Sequence, residues 1–225
     1  MTRVVVLVSG SGRVLQALLD AFSPVPEARG PDPDRASIAA VISNTPDAYA
    51  LERARRHGVP TLVVTHRGRS REAFETDLAA AIDPYHPDLI CLAGFLRILS
   101  PAFVRRYPRR ILNTHPALLP AFGGKGMYGE RVHQAALEAG LAVCGCTIHL
   151  VDEVPDGGPI VAQAVVPVVD GDTPESLAER IQAEERRLYP EVIRWWADGR
   201  IEVRDQAVVV RPMRPASTPT DAIPV

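Results

Sequence analysis

The 225-residue chain is about the length of one large α/β domain or of two small ones, and with 46% apolar residues it can bury a substantial core. Its 25 basic and 27 acidic residues cancel to a net charge of −2, which excludes a globally basic nucleic-acid binder and a surface built for anionic membranes. No apolar run reaches the roughly 18–20 residues of a membrane span, and the N-terminal "MTRVVVLVSG" lacks a signal-peptide cleavage pattern.

Three cysteines, Cys91, Cys144 and Cys146, make an odd count without a disulfide framework, so a cytoplasmic, reduced protein is expected. Cys144 and Cys146 alternate along an apparent strand. Buried small hydrophobes are the favoured reading over a metal fragment, because no second ligand pair with suitable spacing exists. The basic runs "RARRH" (53–57), "RRYPRR" (105–110) and "RR" (186–187) read as solvated helix faces.

The continuous β-branched run "VVVLVSG" (4–10) predicts a strand buried on both faces, and "VLQALLDAF" (14–22) follows with helical spacing. The Pro-rich stretch 23–35 reads as a surface loop. "SIAAVISN" (37–44) is a second strand, "DAYALERARRHG" (47–58) a helix ended by Gly58, and "TLVVTH" (61–66) a third strand. A helix over 70–83 has Ser70 as N-cap, "LICLAGF" (89–95) is the fourth strand, and a short helix runs from Ser100 to about Tyr107. "RILNTH" (110–115) is the fifth strand.

The pattern changes after that. "GCTIHLVD" (145–152) and "VAQAVVPVV" (161–169) predict an antiparallel pair, followed by a long helix over 173–196 with Leu177, Ile181, Leu188, Val192 and Trp195 on one stripe. Alternating strands and helices imply a Rossmann-like, doubly wound, mostly parallel sheet, with antiparallel C-terminal strands and a long C-terminal helix. A single domain is expected over 1–210, with a phosphate-binding half at 1–110 and a catalytic half at 111–210. The Pro- and Thr-rich tail 211–225 is expected to be disordered.

In such sheets ligands bind beyond the carboxyl ends of the strands. That rule selects "SGSGR" (9–13), "GFLRIL" (94–99), "NTHP" (113–116) and "VDEVPDGG" (151–158). The first leads into a helix and offers backbone N–H groups to a phosphate, although a plain tight turn would read the same way. As a dinucleotide fingerprint it lacks the third glycine, whose place Leu15 fills. Asn113 and His115 alternate at a strand end and share one side. A lone histidine is more often structural, but an amide beside an imidazole can donate to an oxyanion and move a proton. Asp152 and Asp156 sit in a turn tightened by Pro155, Gly157 and Gly158. Each could be a capping residue; if Asp156 approached His115, its charge would raise the histidine pKa.

Taken together, "VVVLVSGSG", "LERARRHGV", "RSREAF", "PDLICLAGFLRILSPAFV", "ILNTHPALLP", "HLVDEVPDGGPIVAQ" and "ERRLYPEVIRWWADGR" resemble the phosphoribosylglycinamide formyltransferase family, folate-dependent enzymes of purine biosynthesis. The resemblance covers about residues 3–203, with the motifs in family order. It implies that 10-formyltetrahydrofolate is the co-substrate, that no metal is needed, and that the partners are small molecules, with the protein a monomer or homodimer. It implies catalytic roles for Asn113, His115 and Asp156, and phosphate binding by Gly12, Arg13 and Val14. Glu185 matches the acid that holds the nucleotide substrate's free amine. Folate contacts fall on Arg71, on Leu96, Arg97, Ile98 and Leu99, on Asn113, and on the loop from Val151 and Asp152 to Asp156, so that 111–210 is also the folate-binding half. Protonated His115, held by Asp156, and Asn113 would stabilise a tetrahedral oxyanion.

Two departures stand out. Many family members read G-S-N or G-S-L at Gly12-Arg13-Val14, so Arg13 either replaces a phosphate contact with a charge or faces solvent. "AFGGKGMYGERVHQAAL" (121–137) differs from the commoner short loop; its glycines suggest a mobile lid, Lys125 a phosphate partner or an exposed lysine, and His133 a surface or helix-cap residue. His149, on a strand near the site, is expected to lend a supporting hydrogen bond. Among rivals, a methionyl-tRNA formyltransferase would need a further C-terminal domain and a basic surface. A formyltetrahydrofolate hydrolase would carry an N-terminal regulatory domain. A non-catalytic nucleotide-binding module would be indifferent to the loss of His115 and Asp156.

Overall fold

The structure is a computed structural model that describes residues 1–23, 35–204 and 206–212. Strand β1 (Thr2–Val8) lies at its centre, with every side chain from Val4 to Val8 fully buried. Val4, Val6 and Val8 enter one core and Val5 and Leu7 the other, which is why the run is continuously apolar rather than alternating. From β1 the chain moves outward through α1 (Arg13–Phe22), β2 (Ala36–Ser43), α2 (Tyr49–Arg56) and β3 (Thr61–Val63). It crosses back through α3 (Arg71–Ile82) to β4 (Leu89–Leu92) on the other side of β1, then through α4 (Pro101–Arg106) to β5 (Ile111–His115).

The seven-stranded sheet has the order β3-β2-β1-β4-β5-β6-β7. Its first five strands are parallel to their neighbours, while β6 (Val143–Leu150) and β7 (Ile160–Pro167) run antiparallel. Helices α1, α2, α5 (Glu130–Glu138) and α6 (Pro174–Ala197) supply one core, and α3 and α4 the other. The strand order reverses at β1, so a crevice opens between the carboxyl ends of β1 and β4.

Local chemistry explains the helix starts. The Ser70 and Ser100 hydroxyls accept from the N–H groups of Ala73 and Phe103, and Thr173 with Ser176 forms a capping box ahead of Pro174. The expected stripe on α6 is buried at Leu177, Ile181, Leu188 and Val192, whereas Trp195 is only partly covered. Cys91, Cys144 and Cys146 are all buried and free.

Several boundaries differ from expectation. Strands β1, β3 and β4 stop at Val8, Val63 and Leu92 because the residues beyond each turn into loops at the open edge, and β6 spans 143–150 rather than 145–152. The segment 121–137 is not all loop: α5 occupies Glu130–Glu138, and its Val132, His133 and Ala136 are buried. His133 is therefore neither a surface nor a cap residue; its helical spacing with Val132 and Ala136 turns it inward. A hairpin of β8 (Ile201–Arg204) and β9 (Ala207–Val210), absent from the sequence reading, packs its apolar side against the first core. Most of the loop expected at 23–35 (residues 24–34) and of the tail expected at 211–225 (213–225) falls outside the described residues.

One buried hydroxyl fastens the segment after β5. Thr147 Oγ donates to the Ala117 carbonyl (2.6 Å) and accepts from the Leu119 N–H (3.0 Å) and from Gln163 Nε2 (3.0 Å). Thr147→Val keeps the shape and strands the Ala117 and Leu119 backbone groups. It is expected to cost about 1–3 kcal/mol, seen as a fall in Tm of about 2–4 °C for each kcal/mol in a chain of this size. An unchanged melting curve would contradict this role.

Candidate active site

The crevice at the reversal point deepens into a cleft of about 700 Å³. Four segments converge on it: the turn from Gly10 to Val14, the loop from Leu92 to Leu99, the end of β5 at Asn113 to Pro116, and the loop from Val151 to Asp156. All four had been selected by the strand-end rule. The side chains of α6 at Gln182 and Glu185 and the loop from Gly124 to Gly129 complete the wall.

The glycine turn is tight for a steric reason. Gly12 has φ +69°, and a Cβ there would sit 2.7 Å from the Ala50 Cβ on α2. The N–H groups of Gly10, Ser11, Gly12, Arg13 and Val14 have no acceptor among the described residues, and α1 starts from them without a side-chain cap. Unpaired donors at a helix N-terminus suit an anion. Arg13 reaches across to α6, donating from Nη1 to Gln182 Oε1 at 2.9 Å, while the Val14 side chain belongs to the core.

At the end of β5, the antiparallel register sets His149 opposite Asn113 and Thr147 opposite His115. His149 is buried, with its Nδ1–H donated to the Leu150 carbonyl (3.0 Å) and its Nε2 set 3.1 Å from Asn113 Nδ2 and 3.6 Å from Asp156 Oδ1; Nε2 accepts from the Asn113 amide when unprotonated and donates to the carboxylate when protonated. The bond from Asn113 uses one of its N–H groups and leaves the second free for the cleft. His115 is buried between two acceptors: Nε2 donates to the Phe122 carbonyl at 2.7 Å, and Nδ1 lies 3.5 Å from Asp156 Oδ2. Asp156 is held in the left-handed region (φ +56°) and accepts from the Gly124 N–H at 2.8 Å. The loop that carries it folds back so closely that a Cβ on Gly158 would lie 1.9 Å from the Leu150 carbonyl oxygen.

Burial is the largest influence on His115 and pushes its pKa below the ordinary value; the Asp156 charge and the Phe122 carbonyl act the other way without overcoming it. The sequence-based expectation of a raised pKa is therefore corrected: the carboxylate has the anticipated sign, but desolvation is larger. For Asp156, burial alone would raise the pKa, yet His149, the Gly124 N–H and His115 together hold the carboxyl below its usual range. At neutral pH the pair is a carboxylate beside a neutral imidazole. A neutral ring can donate to only one of its two acceptors, and a proton gained would satisfy the second.

The remaining expected residues divide by position. Glu185 is buried on α6, accepts from Thr114 Oγ1 at 2.7 Å, and is raised in pKa by burial. Leu96, Arg97, Ile98, Leu99 and Val151 line the cleft, with Leu96 and Ile98 exposing 60% and 46% of their surface to it and to solvent. Asp152 also lines it, but its Oδ1 caps its own turn at the Val154 N–H (2.8 Å). Lys125 is exposed on the cleft wall. Arg71 is exposed at the start of α3 and does not line the cleft. Among the described residues, no group of three or more His, Cys, Asp or Glu is arranged to hold a metal ion. Thr147 and Gln163 were missed, and His133, read as a surface or cap residue, lies buried on α5 at the cleft; alternation along β6 put Thr147 and His149 on one face, but their partners lie on distant segments.

Residues 2–193 match the formyl transferase family model. The chain belongs to that family. As a formyl transferase family member it is 43% identical over 205 residues to the phosphoribosylglycinamide formyltransferase of Escherichia coli (strain K12), covering 91% of each chain. The crystal structure of glycinamide ribonucleotide transformylase 1 from Symbiobacterium toebii superposes with a TM-score of 0.84 at 46% identity, over 94% of this chain and 95% of that one. A formyltetrahydrofolate deformylase from Pseudomonas syringae pv. tomato gives a TM-score of 0.80 at 26% identity, covering 94% of this chain but 66% of its own. This family member therefore shares its doubly wound sheet with enzymes named for two different fates of the formyl group.

The protonation states are open to direct measurement. In the free protein, the His115 ring resonances should titrate below the ordinary histidine value of about 6.5. Asp156→Asn should lower that midpoint further, because it removes the charge that favours the imidazolium. A midpoint that rose on substitution would contradict the placement of the pair.

Proposed function

We propose that the protein transfers the formyl group of 10-formyltetrahydrofolate to the amine of glycinamide ribonucleotide, releasing tetrahydrofolate. The observation that carries this reading is the meeting of Asn113, His115 and Asp156 between an unpaired-donor turn and a semi-apolar loop, in a chain of the formyl transferase family. The nucleotide's phosphate goes to the turn at Gly12, Arg13 and Val14, within reach of Lys125, and Glu185 faces its free amine. The flat ring of the folate lies against Leu96, Arg97, Ile98 and Leu99 and the loop from Val151 to Asp156. A folate long enough to leave the cleft would meet Arg71. Each subsite draws on both sides of residue 110, so the two proposed halves, 1–110 and 111–210, work as one site across the continuous sheet.

The amine attacks the formyl carbon, forming a C–N bond and driving the carbonyl electrons onto oxygen. The free N–H of Asn113 meets that oxyanion. His115, neutral at rest, takes the proton that the amine sheds and becomes an imidazolium paired with Asp156. It then returns the proton to the folate nitrogen as the second C–N bond breaks, so the reaction ends with the site as it began. For Nε2 to take that proton, its bond to the Phe122 carbonyl must give way and the ring's own proton must pass to Nδ1, which faces Asp156 Oδ2 at 3.5 Å. The glycines at 123, 124, 126 and 129 place the needed freedom next to Phe122.

The test follows absorbance of a formyl-folate analogue with and without glycinamide ribonucleotide. Turnover is expected only when both are present; turnover without the nucleotide would make the protein a hydrolase and sink the proposal. Asn113→Ala is expected to lower kcat by about 10²–10³, and His115→Ala by about 10²–10⁴.

A further inference from the structure

We propose that Arg53, outside the cleft on α2, is a positioning residue that turns the glycine turn's donors toward the substrate phosphate. This inference rests on the reading of that turn as the nucleotide's phosphate subsite.

Backbone carbonyls repel an anion as strongly as N–H groups attract it. A turn becomes an anion site only if its oxygens are drawn elsewhere. Here each oxygen has its own partner. The Gly10 carbonyl accepts from the Ala50 N–H on α2 (3.1 Å), the Ser11 carbonyl from Arg53 Nε (2.8 Å), and the Gly12 carbonyl from the Gln16 N–H (2.9 Å). The first and third partners are backbone groups that any sequence could supply. Only the middle contact depends on a side chain.

Two contacts hold that side chain in place, and a third holds the turn. Its Nη1 donates to Gln16 Oε1 at 2.9 Å, which ties the first turn of α1 to α2. Its guanidinium lies 4.9 Å from the centre of the Tyr49 ring, one helical turn away. The close seat of Gly12 against Ala50 leaves the turn little room to drift. Arg53 bonds a carbonyl and an amide, and no carboxylate lies within ion-pair distance of it among the described residues. Its charge therefore stands uncompensated behind the turn and adds to the positive potential of the helix N-terminus. A basic run read from the sequence as a solvated face thus contains one residue with a different task.

The test compares wild type, Arg53→Ala and Arg53→Lys with glycinamide ribonucleotide, with the dephosphorylated nucleoside, and with inorganic phosphate as competitive inhibitor. For Arg53→Ala, the KM of the nucleotide and the Ki of phosphate should rise about tenfold, the scale of one charge-assisted hydrogen bond. The kcat at saturation, the folate KM and the kinetics of the nucleoside should hold. Lysine restores the charge but not the fork, and should recover part of the loss. Equal KM increases for nucleotide, nucleoside and folate would reveal a merely structural residue and overturn the proposal, as would an unaltered Arg53→Ala enzyme. If wild type already treats nucleotide and nucleoside alike and ignores phosphate, the turn is no phosphate subsite, and both readings fall together.

Discussion

The reversal of strand order at β1 is the constraint from which the rest of the molecule follows. Parallel strands need crossover helices, and helices on both faces bury the central strand from Val4 to Val8, so that stretch of β1 can carry nothing but apolar residues. Polar chemistry is thereby confined to the ends of the strands. Because successive connections leave β1 and β4 in opposite directions, those two ends are not covered by a crossover, and a crevice remains. The glycine turn, the 92–99 loop and the β5 terminus converge there as a consequence of topology.

Antiparallel β6 adds what a purely parallel sheet would lack. Its register sets His149 and Thr147 against Asn113 and His115, so one element orients the amide and fastens the segment that follows the imidazole. The loop after β6 then delivers Asp156. The resulting balance is electrostatic: burial disfavours the imidazolium, while Asp156 and the Phe122 carbonyl favour it, and burial prevails in the ligand-free protein. A group so poised accepts a proton when chemistry supplies one and surrenders it afterwards.

Much of this was legible in the sequence, for reasons that are local. A β-branched run with no polar interruption betrays a doubly buried strand, and Ser70 before a periodic segment marks a helix start. The alternation of Asn113 and His115 at a strand end marks a paired function. Other features were hidden because they depend on partners far along the chain. The glycines of 121–129 masked α5, whose buried face is only Val132, His133 and Ala136. The register that sets His149 on Asn113 spans 36 residues, and the lowered His115 pKa reflects packing by several elements. Arg53 looked like any other member of a basic run until its carbonyl partner was in place.

The central claim is that two substrates meet between Asn113 and His115. The most direct measurement is a crystal structure with a formyl-folate analogue and glycinamide ribonucleotide bound together. The account predicts the phosphate on the 10–14 turn, the formyl oxygen within hydrogen-bonding reach, about 3 Å, of Asn113, and the attacking amine nitrogen within the same reach of a His115 Nε2 freed from Phe122. A ternary complex in which either ligand lies outside this cleft, or in which His115 stays bound to the Phe122 carbonyl, would contradict it.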